Sequence, residues 1–233
     1  MYNKKMRRTK PGSGKIYHIY NRGVEKRNIF LKDSDRIRFL YSLLVFNNIE
    51  NADMERHYFE PTISKLSEVG LRNPIVKIMA FVLMPNHYHL MVEQVEENGI
   101  TEFMRKLGTG YTNYFNKKYE RVGALFQGKY KAIALTEERH FKYLPYYIHL
   151  NPLEIAGYML KKESISDTEK ALAFLESYRW SSHLDYLGKP NLPNLLDTKL
   201  LNEVFETPTQ YKNDIREWLN ENIYDEVGDV AID

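Results

Sequence analysis

The sequence predicts an α+β fold, and three observations carry that reading. Ile75 to Leu83 is nearly all apolar, runs into Met84-Pro85-Asn86, and is followed by a second apolar stretch from His87 to Glu93. Two such runs joined by a short Pro-Asn turn read as an antiparallel hairpin. Ile16 to Gly23 reads as an earlier strand ending in a turn, and a last strand is expected at about Tyr130 to Leu135. Segments with apolar residues at helical spacing lie between and after these strands. The order is then strand, helix, two strands, helix, strand and a further helix. That is a ferredoxin-like arrangement, with helices on one face of a four-stranded antiparallel sheet.

In the first strand, alternation puts Tyr17 and Ile19 on one face and His18 and Tyr20 on the other. Asp33-Ser34-Asp35 is suited to capping a helix that Ile37 to Phe46 continues. Asn47 to Asn73 is polar and irregular, with a short helix expected near Ile63 to Val69, and reads as an insertion before the hairpin. The first hairpin strand is apolar on both faces, which places it at the sheet centre. Thr101 is suited to cap a helix running to about Lys118. Phe103, Leu107, Tyr111, Tyr114 and Phe115 form its apolar side, and Gly108 and Gly110 are out of place within it. Arg121 to Lys131 is a glycine-punctuated basic and aromatic loop. Thr136 is expected to cap the next helix, with Phe141, Leu144 and Ile148 as its core stripe and Pro145 as a point of kinking or division. The texture changes after Pro152. Residues 1–155 are expected to form the main domain, and residues 156–233 a mostly helical extension with a short aromatic stretch at Ser177 to His183.

At 233 residues, with 43% hydrophobic and 27% charged residues, the chain has the composition of a soluble globular protein. No apolar run approaches the length of a membrane span, and Met1 to Lys10 lacks the apolar core of a secretory signal. A cytoplasmic, nucleoid-associated protein is expected. The chain has no cysteine, which excludes disulfides and thiolate metal sites. The net charge of +2 hides an uneven distribution. Five basic residues and no acid stand in Met1 to Lys10, seven basic residues and one acid in Arg105 to Lys131, and nine acids and two basic residues in Glu203 to Asp233. Solvated helix faces account for such blocks, and so does a nucleic-acid partner. The 18 tyrosines serve either as core or as stacking surfaces for unpaired bases.

His87 and His89 flank Tyr88, so on a strand both imidazoles share one face. Tyr147 and Asn151 are four apart and share one face of a helix. If that helix packs beside the sheet, two imidazoles and an amide oxygen can hold a cation and leave positions open for phosphate oxygens. Nitrogen and oxygen ligands without thiolate fit Mg2+ or Mn2+, with Zn2+ a further option. His18 either joins this group or is a hydrogen-bonded structural histidine. Spacing alone leaves Tyr147 one phenol among many, with Tyr143 and Tyr146 close by on the same segment. His149 points away from Tyr147 on an ideal helix and reads as structural.

Met84-Pro85-Asn86-His87-Tyr88-His89 resembles the HUH motif of the tyrosine transposases that act on single-stranded DNA. Tyr147-Ile148-His149-Leu150-Asn151-Pro152 resembles that superfamily's catalytic helix, and Arg121 to Lys131 resembles the segment between the two. Order and spacing match from about Ile16 to Pro152. Ser177-Tyr178-Arg179-Trp180-Ser181-Ser182 resembles a segment of the REP-associated branch, the domesticated relatives tied to palindromic repeats. The resemblance implies a metal-dependent endonuclease and strand transferase acting beside DNA hairpins. Tyr147 would be the nucleophile, His87, His89 and Asn151 the ligands of Mg2+ or Mn2+, and a covalent 5′-phosphotyrosine the intermediate. It also implies a monomer or a homodimer. Arg105, Arg121, Lys129 and Lys131 are then the candidate phosphate contacts, Phe126 and Tyr130 serve as stacking or core residues, and Lys4, Lys5, Arg7 and Arg8 form an arm for DNA. Two other readings of the residues stay open: a non-catalytic module that binds structured single strands, and a metal phosphodiesterase that uses water.

Overall fold

The computed structural model of the chain describes residues 12–49, 61–69, 73–158 and 167–221. The basic residues Lys4, Lys5, Arg7 and Arg8, and the acidic end beyond residue 221, lie outside them. Four strands, β1 (Ile16–Arg22), β2 (Val76–Leu83), β3 (His87–Gln94) and β4 (Lys131–Ala134), form one antiparallel sheet in the order β2-β3-β1-β4. Together with helices α1 (Asp33–Val45) and α3 (Gly99–Lys118), and the short α2 (Ile63–Glu68) in the insertion, this is the expected ferredoxin-like order. β2 and β3 are joined at Pro85-Asn86, where the Met84 N–H donates to the His87 carbonyl at 2.9 Å.

Strand alternation divides the sheet into two faces. Tyr17, Ile19, Tyr88, Leu90 and Val92 meet Phe39, Leu43, Phe103, Leu107 and Tyr111 of α1 and α3 in one core. Asp35 ties these helices together. Its buried carboxylate lies 3.1 Å from Lys118 Nζ and accepts from the Tyr119 hydroxyl at 2.8 Å and the Lys32 N–H at 2.9 Å. The second core lies on the opposite face. There Met79, Ala80, Val82 and Met91 meet α4 (Glu138–Leu150), α5 (Thr168–Ser177), α6 (His183–Tyr186), α7 (Lys199–Phe205) and α8 (Pro208–Glu221). A register shift between Ile78 and Ala80 lets Met79 and Ala80 both serve this second core.

β2 is an edge strand, not the central strand its composition suggests. It is apolar on both faces because helices cover both, and its outer edge is closed by the C-terminal region. Leu83 N–H donates to the Trp180 carbonyl at 2.9 Å, Ser182 N–H to the Phe81 carbonyl at 3.0 Å, and Asp197 N–H to the Ile78 carbonyl at 2.8 Å. The Tyr178 and Tyr186 hydroxyls donate to the carbonyls of Leu83 (2.6 Å) and Met79 (2.7 Å). Pairing and covering an edge in this way removes its open backbone groups.

Two helix starts differ from expectation. α3 begins at Gly99 rather than being capped by Thr101, because the buried Gln94 side chain accepts the Ile100 N–H at 3.1 Å and Gly99 lies against the Ile75 carbonyl. α4 has Glu137, not Thr136, at its N-cap. It runs unbroken through Pro145, although a proline there removes one helical donor. Packing on both sides of the helix from Leu144 to Leu150 accounts for the tolerance, since every one of those residues is buried. No described helix is long and apolar enough to cross a membrane.

Candidate nucleic-acid cleavage site

β3 presents His87, His89 and Met91 on the face opposite Tyr88 and Leu90, and β1 presents His18 and Tyr20 on that same face. The local reason is the two-residue turn at Pro85-Asn86, which starts β3 at His87 and so sets the parity of both imidazoles. Tyr20 is the register partner of both His89 and Lys131. Its ring lies 5.6 Å from the His89 ring, nearly parallel at 21°, and the Lys131 ammonium sits 5.6 Å from its centroid on β4's side. The two histidines stand edge to face, 5.0 Å apart at 88°.

Both imidazoles are oriented through Nδ1. His87 Nδ1 lies 2.6 Å from Asn86 Oδ1, and His89 Nδ1 lies 2.8 Å from His18 Nε2. With Nδ1 engaged, Nε2 is the nitrogen each ring would present to an ion. His18 therefore bonds His89 rather than completing a cluster. Among the described residues, no group of three or more His, Cys, Asp or Glu side chains is placed to hold a metal.

α4 crosses this face and brings Tyr147 to the histidines. The Tyr147 ring meets the His89 ring edge-on at 5.6 Å and 88°, and the His18 ring at 6.0 Å and 79°. Asn151 follows one turn on, just past the end of the helix, and its Nδ2 donates to the Tyr147 carbonyl at 2.8 Å. Among the described residues, its buried Oδ1 has no hydrogen-bond partner. A buried amide oxygen left unsatisfied costs free energy, which a cation would recover. Two imidazoles held through Nδ1 and one orphan amide oxygen fit a divalent ion with mixed nitrogen and oxygen ligands.

Tyr143 and Tyr146, on the same helix, face away from the histidines. The Tyr146 hydroxyl donates to Asp214 Oδ2 at 2.6 Å and its ring stacks on Trp218, while Tyr143 packs 5.3 Å from Trp218. Burial, with Asp214 beside it, raises the Tyr146 pKa and disfavours its phenolate. His149 is structural, as expected: it is fully buried, with Nε2 2.6 Å from Ser182 Oγ and Nδ1 2.7 Å from the Tyr211 hydroxyl. The same hydroxyl lies 2.7 Å from His183 Nδ1. Burial, with His183 nearby, holds the His149 pKa well below the usual histidine value, and burial takes His183 down to about 4.

The candidate phosphate contacts divide. Lys131 is exposed beside the histidine face, paired with Tyr20 across β1 and β4, and Lys129 is exposed in the loop that leads into β4. The Arg121 guanidinium donates to Asn116 Oδ1 at 2.6 Å and to the Ala124 carbonyl at 3.3 Å, so it first of all shapes its own loop. Arg105 is exposed on α3, in the layer on the other side of the sheet from the histidines. Phe126 is a core residue, 9% exposed, edge-on to Tyr88 at 6.0 Å, and bridged through its backbone to Gly23. The aromatic loop folds back onto β1, so of the two roles open to Phe126, stacking and core, the structure gives it the core one and not base stacking. Tyr130 is half-buried against the same core. Arg22 is the register partner of His87 and by alternation shares the face of His18 and Tyr20. The strand parity that places His18 carries the same signal for Arg22.

Comparison with known proteins adds three findings. Residues 41–151 match the family described as "Transposase IS200 like". A solved structure of a REP-associated tyrosine transposase bound to a REP hairpin is 15% identical, with a TM-score of 0.46 over 83% of this chain and 92% of that chain. No curated protein matches the chain. The matched residues hold His87, His89, Tyr147 and Asn151, and over them the chain is similar to the IS200-like transposases.

Proposed function

We propose that this protein is a metal-dependent single-strand DNA endonuclease and strand transferase, a transposase of the REP-associated kind, acting beside hairpins through a 5′-phosphotyrosine on Tyr147. The observation that carries the proposal is the placement of Tyr147, alone among the tyrosines of α4, edge-on to His89, with the orphan Asn151 Oδ1 one turn away. His87 and His89 through Nε2, and Asn151 through Oδ1, would hold Mg2+ or Mn2+. Such an ion supplies charge stabilisation on a phosphodiester. Tyr147 Oη forms a bond to phosphorus as the bond to the 3′ oxygen breaks. The phenol proton passes to solvent, and the departing oxygen takes up a proton to become a free 3′-hydroxyl. One phosphoester replaces another, so a 3′-hydroxyl can reverse the step and join strands. Lys129 and Lys131 would steer the strand to this face, with binding that weakens as salt rises. Tyr147 is only 2% exposed, so the strand must open this face to reach the phenol.

The test is a labelled single-stranded hairpin incubated with Mn2+ and run on a denaturing gel beside Tyr147→Phe. The expected result is a slower covalent band that the variant lacks, with hairpin binding kept. Cleavage without that band would favour a water-using phosphodiesterase, and binding without cleavage a non-catalytic module.

A further inference from the structure

The pairing of His18 with His89 decides more than packing. The two lie on adjacent central strands. Tyr20 is the register partner of His89 and Met91 that of His18, so the imidazoles are diagonal neighbours on one face. Diagonal pairs are within reach of each other's rings. Here the rings lie 5.0 Å apart and within 22° of parallel, joined between His18 Nε2 and His89 Nδ1 at 2.8 Å. Both residues are buried, and Tyr147 stands edge-on to both, which fixes their planes.

A neutral imidazole carries one proton, and one proton occupies this bond. If His18 donates it, His89 accepts at Nδ1 and carries its own proton on Nε2, which bars that nitrogen from an ion. If His89 donates from Nδ1, its Nε2 lone pair points into the site. We propose that His18 is a positioning residue: it accepts the Nδ1 proton of His89 and so holds His89 in the one tautomer whose Nε2 can ligate a metal. The proposal rests on His89 being a metal ligand. It assigns to β1 a part in the site that neither the HUH hairpin nor the tyrosine helix supplies. His87 needs no such partner from another strand, because its own neighbour Asn86 accepts from Nδ1.

The test has two readouts. The first is the tautomer of His89 in the metal-free protein, read from long-range nitrogen–proton correlations after labelling the histidine rings with nitrogen-15. The expected state is protonation at Nδ1, and protonation at Nε2 would overturn the proposal without any variant. The second is Mn2+ affinity, measured by calorimetry or by the spin resonance of free Mn2+. His18→Leu keeps the volume and removes the acceptor, and should weaken Mn2+ binding by roughly 10- to 100-fold, the usual effect of losing a residue that orients a ligand. His18→Gln places an amide oxygen near the position of Nε2 and should restore most of the loss. Equal Mn2+ binding by wild type and His18→Leu would overturn the role of His18 alone. No Mn2+ binding by the wild type would sink the ion site itself, a different failure.

Discussion

Asn151 carries two polar groups with opposite fortunes: Nδ2 is bonded to the Tyr147 carbonyl, and Oδ1 is buried with no hydrogen bond among the described residues. Removing the side chain therefore loses one hydrogen bond and relieves one unsatisfied acceptor, and these effects offset. Asn151→Ala is expected to change unfolding free energy by no more than about 1 kcal/mol, while weakening Mn2+ binding in calorimetry. A structural asparagine would show the reverse. His183 makes a separate prediction through pH. Its pKa is lowered from 6.5 to about 4 by burial, so the native state keeps it neutral where the unfolded chain would take a proton. The unfolded state then binds more protons below pH 6.5, and stability must fall as pH drops from there toward 4. The loss is of order 3 kcal/mol by the linkage relation. Urea denaturation midpoints measured across that window should show the slope, and His183→Gln should make it shallower, leaving the part that His149 contributes.

Two glycines of α3 look alike in the sequence, yet they sit in opposite surroundings. A Cβ on Gly99 would lie 2.4 Å from the Ile75 carbonyl oxygen, which is backbone and cannot step aside, whereas a Cβ on Gly108 meets nothing within 4 Å. Gly99→Ala should destabilise by about 1–3 kcal/mol. Gly108→Ala should stabilise by about 0.5–1 kcal/mol, because alanine is the better helix former. Thermal melts check both, with Gly108→Ala expected to gain about 2–4 °C per kcal/mol in a chain of this size. The same pair explains why element boundaries were only partly legible. The apolar stripe of α3 located the helix, but its start was decided by Gln94 and Ile75, which belong to other segments. Thr101 and Thr136 are good caps by residue type, and neither is used: α3 starts where those contacts set it, and α4 takes Glu137 as its N-cap.

Across the whole molecule, residues 167–221 cover the second face of the sheet and close the β2 edge, so this region holds α4 in place. Ser182 alone reaches the Phe81 N–H at 2.9 Å and His149 at 2.6 Å. A chain ending at residue 158 would expose Met79, Val82, Leu144 and Ile148 together with an unpaired strand edge, the combination that drives association. We expect this truncation to elute as aggregates in size-exclusion chromatography and to bind a hydrophobic dye; a soluble monomer would show that the first 158 residues fold on their own. The expected division at residue 155 follows a change of composition, but composition does not reveal that the second segment packs against the first.

The sequence by itself determined the strands, the main helices, the shared face of His87 and His89, and the one-turn spacing of Tyr147 and Asn151. All of these follow from periodicities of two and of 3.6, which are local properties of the backbone. Only the tertiary structure decided that β2 is an edge strand, that Phe126 is core, that Arg105 lies in the layer away from the histidines, and that His18 bonds His89 across 71 residues of chain. These depend on which surfaces meet, and the pattern of a segment does not encode its neighbour. A strand covered on both faces reads the same at the edge of a sheet as at its centre.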